Sequence, residues 1–501
     1  MTEVKVQNGI RREFYELFIN GEKVESSDGG TKDIINPATG EVIAKVAMAT
    51  EEDAERAVTA AKDVFENSKW KIYPTSKRAK ILNRIASIMR ERFEELVELE
   101  VLNSGKSINA AIGQISQAVE DFEYYAGAVY NHGGQTNDVP GQFHNYTEKE
   151  PVGVCAQIVP WNYPLMMAAW KVAPALAAGC TIVLKPASLT PLTALVLGEI
   201  CQEAGVPDGV INILPGNGSR IGDYLVEHPE VDKVAFTGST DTGKDIMYKA
   251  SRTLKRLTLE LGGKSPALIF GDAELENAVA SSVYGIYNNT GQSCDARSRI
   301  YVEDSIYDTF VEQFVEKTKQ MKMGDPMSKE THMGSLIDGS QLESVEAYIE
   351  TARQEGATIA YGGNRLIIEG YEGGFWLQPT IITDVTEDMT VVREEIFGPV
   401  VVISRFSDEK EAVSLANNTI YGLASSIYTE DTRKAKRVAD KIRAGIVMIN
   451  CPFSAFPGTP FGGYKQSGFG RELSAETLDL YSETKSIMSY FGRKPINPFM
   501  L

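Results

Sequence analysis

With 501 residues, 43% of them apolar and 24% charged, the chain holds material for two or three lobes rather than one core. Its net charge of −18 argues against a nucleic-acid partner, which needs a basic stripe to neutralise phosphates. Five cysteines with no CxxC pair, and four scattered histidines, leave no metal site of zinc-ligand spacing and point to reduced thiols in a cytoplasmic compartment.

The first 18 residues lack an apolar run, so no signal peptide is expected. Residues 17–49 read as short strands with turns at Asn20-Gly21 and Asp28-Gly29. Helical periodicity follows over 52–66 (Ala54, Ala57, Val58, Ala61, Val64, Phe65), then 76–103, then about 107–130. The polar stretch 131–150 breaks the pattern, and Val139-Pro140-Gly141 reads as the turn of a subunit-contact arm. Residues 151–170 carry no charge, but Pro151, Pro160 and Pro164 interrupt them and Gln157 and Asn162 would be stranded in lipid. Buried core is expected there, not a membrane span.

From 152 strands and helices alternate: strands VGVCAQIV, TIVLKP, VINILP, KVAFTG and LTLELGG, with helices at 164–178, 191–204, 219–227 and 241–251. A second series runs from about 265 to 450, with strands ALIF, SRIYV, TIIT, VVVISRF and IVMIN. Its helices fall at 274–286, 305–321, 339–355, 408–417 and 431–441. The pattern predicts an α/β protein with two parallel sheets and a ligand cleft between the lobes.

Four segments carry candidate chemistry. Gly216–Gly222 looks like a dinucleotide fingerprint but has one residue too many, and alone reads as a turn before a helix. Phe236-Thr237-Gly238-Ser239-Thr240-Asp241-Thr242-Gly243 follows a strand and opens a helix. It is either a phosphate loop, with Gly238 admitting an anion and Gly243 letting the helix pack close, or a plain capped helix. Glu260, between two leucines and before Gly262-Gly263, is either a buried base of raised pKa or an outward edge residue. Cys294, in Asn289–Arg297, is either an attackable thiol or a small buried hydrophobe. The latter reading is taken for Cys155, Cys180, Cys201 and Cys451.

TGQSC (Cys294), LELGG (Glu260), FTGSTDTG (236–243), PWNYPLMMAAWK (160–171), EEIFGP (394–399) and PFGGYKQSG (460–468) occur in one chain at consistent spacing. The chain thereby resembles the aldehyde dehydrogenase superfamily, from about residue 17 to the C-terminus. The resemblance implies a Rossmann-like cofactor domain (1–128 and 152–262), a second α/β catalytic domain (263–463), and a small β oligomerisation element (129–151 and 482–501) of a homotetramer or dimer. It implies Cys294 as nucleophile, Asn162 with the Cys294 N–H as oxyanion donors, Glu260 as base, and Lys171 and Glu472 as a proton relay. For the cofactor it implies Lys185 at the adenine ribose, Trp161 lining the cleft, Gly238 and Ser239 near the pyrophosphate within the Phe236–Gly243 loop, and Glu395 with Phe397 at the nicotinamide end.

Two departures bear on specificity. Many NAD-selective members have Glu three residues after the Lys185 position, where this chain has Ser188. Loss of that carboxylate removes repulsion of a 2′-phosphate, so NADP is expected alongside NAD. Asp295 follows the nucleophile and either faces the substrate or turns to Arg297, the latter being favoured because a bare carboxylate would raise the thiol pKa. Tyr163, Trp170, Phe453 and Phe456, with Met166 and Met167 beside them, suggest a tunnel for medium or bulky apolar aldehydes. A cationic betaine- or aminoaldehyde is the alternative, weakened because the helix SINAAIGQISQAVED offers no acid before Glu120. A CoA-acylating relative is disfavoured by Glu260, and a Cys–His hydrolase by the want of a histidine partner. An inactive structural protein would have no reason to keep Cys294, Glu260, Asn162 and Lys171 together.

Overall fold

The computed structural model describes residues 12–494 and residue 496. The signal-peptide expectation for the N-terminus therefore falls mostly outside the described residues, as does the end of the 482–501 element. Among the described residues no helix is long and apolar enough to cross a membrane, and residues 151–170 contribute a strand and a helix start.

Two large sheets organise the chain. The first has eight strands, in the order 468–469, 256–260, 233–237, 154–158, 181–185, 211–213, 17–19 and 22–24. Its five central strands are parallel, and the outer ones run antiparallel. Val154–Ile158 and Thr181–Lys185 are buried at every residue, which is why these strands read as continuous rather than alternating apolar runs. The second sheet has seven strands: 358–361, 380–383, 400–406, 299–303, 266–269, 424–428 and 446–449. Two of them, Thr358–Tyr361 and Ala424–Tyr428, have no counterpart in the predicted elements.

The predicted helix over 76–103 is two helices, Thr75–Glu91 and Phe93–Ser104, with Arg92 at φ −101°, ψ 20° between them. No Gly or Pro marks the break; Arg92 instead forks onto Glu95 at 2.6 and 2.7 Å. The polar arm forms strand Phe143–Pro151, which pairs antiparallel with Ser482–Tyr490 from end to end. Gly141, at φ +79°, supplies the left-handed turn residue that the Val-Pro-Gly sequence predicted.

Strand ends position the site. Glu260 ends an inner strand of the first sheet, where Gly468–Phe469 from the far end of the chain pairs beside it. Pro164 opens the fully buried helix Pro164–Ala178, which carries Lys171, and Gly179 closes it at φ +94°.

Candidate active site

Cys294 follows a strained loop. Asn289 and Thr290 both adopt left-handed backbone (φ 53° and 59°), a conformation costing such residues about 1–3 kcal/mol each unless held by neighbours. The hold is visible: the Asn289 amide donates to the Asn162 carbonyl (3.0 Å) and the Gln292 carbonyl (3.1 Å), and Thr290 Oγ1 donates to the Gly334 carbonyl (3.2 Å). Asn162 Nδ2 also donates to the Gln292 carbonyl (2.9 Å), which leaves its second amide hydrogen for another acceptor. Gly263 admits the loop, since a Cβ there would stand 2.2 Å from the Cys294 carbonyl oxygen.

A cavity of about 380 Å³ leads to Cys294 and is lined by Tyr163, Met166, Met167, Trp170, Asp295, Phe453 and Phe456 among others. Phe453 and Phe456 are 54% and 55% exposed, which puts them at its mouth, whereas Tyr163, Met167 and Trp170 are buried along its wall. Asp295 combines the two orientations set against each other in the sequence. It lines the cavity, yet it accepts from Ser293 Oγ (2.5 Å), Ser454 Oγ (2.5 Å) and Arg297 Nη1 (2.8 Å). Burial pushes this carboxyl up, but Arg297 and the two hydroxyls outweigh it and hold it below its ordinary range. Glu120, the first acid on the helix Ile108–Ala128, also borders the cavity.

Glu260 is 4% exposed, and neither of its carboxylate oxygens has a hydrogen-bond partner. Burial, then the charge of Glu472, raises its pKa well above the carboxylate range, while Lys171 and Arg471 act in the opposite direction. Lys171 Nζ is bonded to Glu472 in a buried ion pair. The Cys294 thiol is likewise held well above its ordinary pKa, by burial first and then by the charges of Asp295, Glu395 and Glu260.

The loops after Thr237 and Lys185, at strand ends of the first sheet, are those expected to hold a dinucleotide. A Cβ on Gly238 would lie 2.4 Å from the Phe236 ring, and one on Gly243 would lie 2.5 Å from Leu261 Cδ2. Both glycines therefore lie against side chains at the ends of neighbouring strands. Ser239 caps the helix Thr240–Ala250, accepting from the Thr242 N–H at 3.3 Å. Glu395 is buried and accepts from the Gly263 N–H at 2.9 Å, and burial lifts its pKa to about 7. Trp161 meets Phe397 edge-on with ring centroids 5.2 Å apart, and Phe397 holds φ +56°. The Lys185 ammonium is buried with only the Pro186 carbonyl at 3.4 Å, and burial lowers its pKa to about 8.

The Gly216–Gly222 segment runs into the helix Asp223–Glu227; three other features escaped the sequence. Lys106 Nζ, buried with Glu100, donates to the Asn162 carbonyl at 3.0 Å and so anchors the oxyanion candidate from behind. Lys32 Nζ donates to Ser188 Oγ at 3.1 Å from 156 residues upstream. Gln341 Nε2 donates to the Phe397 carbonyl at 2.8 Å and fixes its strained backbone. Among the described residues no cluster of His, Cys, Asp and Glu is placed to hold a metal.

The family model described as "Aldehyde dehydrogenase family" matches residues 23–487. The chain is 44% identical to betaine aldehyde dehydrogenase 1 of Oryza sativa subsp. japonica, covering 96% of each. It is 43% identical to the cytosolic 10-formyltetrahydrofolate dehydrogenase of Xenopus tropicalis over 97% of its own length, and spans only 54% of that longer protein. The NAD⁺ complex of an aldehyde dehydrogenase from Bacillus cereus superposes with a TM-score of 0.95 at 45% identity, covering 98% of this chain and 100% of that one.

Proposed function

Because this chain belongs to the aldehyde dehydrogenase family, we propose that it oxidises an aldehyde to its carboxylic acid with NAD⁺ or NADP⁺, using Cys294 as nucleophile and Glu260 as general base. The observation that carries the reading is Glu260: a buried, partnerless carboxyl whose charge reaches a thiol at the end of an aromatic tunnel.

Trp161, Lys185, Ser188, Gly238, Ser239, Glu395 and Phe397 would hold the cofactor. Bound there, the nicotinamide supplies the acceptor for the hydride lost by the aldehyde carbon. The chain's residues do the rest. Cys294 Sγ adds to the aldehyde carbon to give a thiohemiacetal, and the Asn162 amide and the Cys294 N–H receive the oxyanion. Glu260, once ionised, takes a proton from the water that hydrolyses the resulting thioester. The Lys171–Glu472 pair offers that proton a route onward.

The tunnel suits a medium or bulky apolar aldehyde, because its deep wall is Tyr163, Met166, Met167 and Trp170 and Asp295 is neutralised by Arg297. One observation favours a cationic aldehyde as the second reading: Glu120 borders the same cavity as the aromatic residues. The paired strands Phe143–Pro151 and Ser482–Tyr490, with Phe143, Met488 and Tyr490 exposed, support their role as an oligomerisation element. Five free thiols suit a cytoplasmic setting. Initial rates with NAD⁺ and NADP⁺ on hexanal, benzaldehyde, 4-aminobutanal and betaine aldehyde test the reading, with Cys294→Ala as blank. Turnover of none of them by the folded enzyme would refute it.

A further inference from the structure

We infer that Lys32 is a cofactor-specificity residue, which with Lys185 and Ser188 forms a two-ammonium clamp for the 2′-phosphate of NADP⁺. The inference rests on the reading that Ser188 admits that phosphate, and goes beyond it by assigning the charge that attracts it.

Lys32 lies on the strand Thr31–Ile35 of the small N-terminal sheet, far in sequence from the cofactor cleft, yet its ammonium reaches Ser188 Oγ at 3.1 Å. Lys185, three residues before Ser188, holds a buried ammonium with one weak carbonyl contact, to Pro186 at 3.4 Å. Each ammonium lies close enough for the Lys32 charge to be the second cause, after burial, of the lowered Lys185 pKa. Among the described residues neither lysine forms an ion pair within 4.0 Å. Among the described residues the carboxylate acting on Lys32 is Asp338, which also caps the helix Gly339–Gln354 through the Gln341 N–H.

Two partly desolvated like charges with no carboxylate in contact repel each other, and an anion between them relieves that repulsion. The anion must be compact and accept from two ammonium groups and a hydroxyl at once, which describes a phosphate monoester. NAD⁺ presents a neutral ribose hydroxyl at this end, to which Lys185 alone can donate. Lys32 therefore adds affinity for NADP⁺ and almost none for NAD⁺.

Equilibrium titration of NADP⁺ and NAD⁺ into the wild type, Lys32→Ala and Lys32→Glu tests this without turnover. Lys32→Ala is expected to weaken NADP⁺ about tenfold and Lys32→Glu about a hundredfold, with NAD⁺ affinity held within about twofold as the control for folding. Adenosine 2′-monophosphate should follow NADP⁺, and adenosine 5′-monophosphate should follow NAD⁺. Unchanged NADP⁺ affinity in Lys32→Ala, or an equal loss for both cofactors, overturns the clamp while leaving the Ser188 reading intact. A wild type that fails to bind NADP⁺ at all overturns the Ser188 reading, and the clamp with it.

Discussion

Lys171 Nζ is bonded to Glu472, while Glu260, near enough to respond to both charges, keeps its two oxygens free of any hydrogen bond. A structural carboxylate would have taken the lysine; this one is left for water. Glu260→Gln keeps the shape and removes the base, so acylation should proceed and deacylation stall. The expected outcome is one equivalent of reduced cofactor per active site in a burst, followed by a steady rate lowered about 10²–10⁴-fold. Equal loss of burst and steady rate would remove Glu260 from deacylation.

The same trio predicts opposite pH shifts. Glu472 raises the Glu260 pKa, and Lys171 lowers it. Deacylation requires the ionised form, so its rate should rise with pH in the wild type. Lys171→Met should move that rise to higher pH, and Glu472→Gln should move it to lower pH. Either change leaves one buried charge unpaired, with about 3–5 kcal/mol of stability lost, so both variants need assay well below their melting temperatures. Hydrolysis of preformed acyl-enzyme as a function of pH isolates the step from thiol ionisation. Shifts of the same sign would contradict the electrostatic account.

The alternation of strands and helices was legible because strands such as Val154–Ile158 and Thr181–Lys185 are buried on both faces and helices such as Glu51–Asn67 bury one face. Ala424–Tyr428 was not, since its core-facing Ser425 and Ser426 disguise a fully buried strand as a polar loop. Cys294, Glu260 and the Gly238 loop were legible as local chemistry. Lys32, Lys106 and Gln341 were not, because each acts on a residue that only folding brings near: Ser188, Asn162 and Phe397.

Asp295 stands next to the nucleophile in sequence, and its charge is the second cause, after burial, of the raised Cys294 pKa. Asp295→Asn removes that charge and retains a partner for Ser293 and Ser454. The thiolate should then form at lower pH, and alkylation of Cys294 by iodoacetamide at neutral pH should accelerate. The cost is a buried Arg297 without its counter-ion, seen as a lower melting temperature. Alkylation no faster than in the wild type, in folded protein, would show that burial alone sets the thiol.

Asp121 offers a stability prediction away from the chemistry. It is fully buried on the helix Ile108–Ala128, with the Trp170 indole acting on its carboxyl. Burial, then the charges of Glu120 and Glu472, raises its pKa well above the ordinary value. The folded protein therefore keeps a proton that the unfolded chain gives up near pH 4. Above that pH the folded state binds more protons than the unfolded one, so stability falls as pH rises. The slope is about 1.4 kcal/mol per unit until the folded-state pKa is reached. Below the unfolded pKa the penalty vanishes. Asp121→Asn replaces the carboxyl with a neutral group of the same shape, so it should match the wild type near pH 4 and exceed it as pH rises above that. Melting temperatures of both proteins across that range give the comparison. A gap that stays constant with pH would mean that Asp121 is not the group whose proton the fold retains.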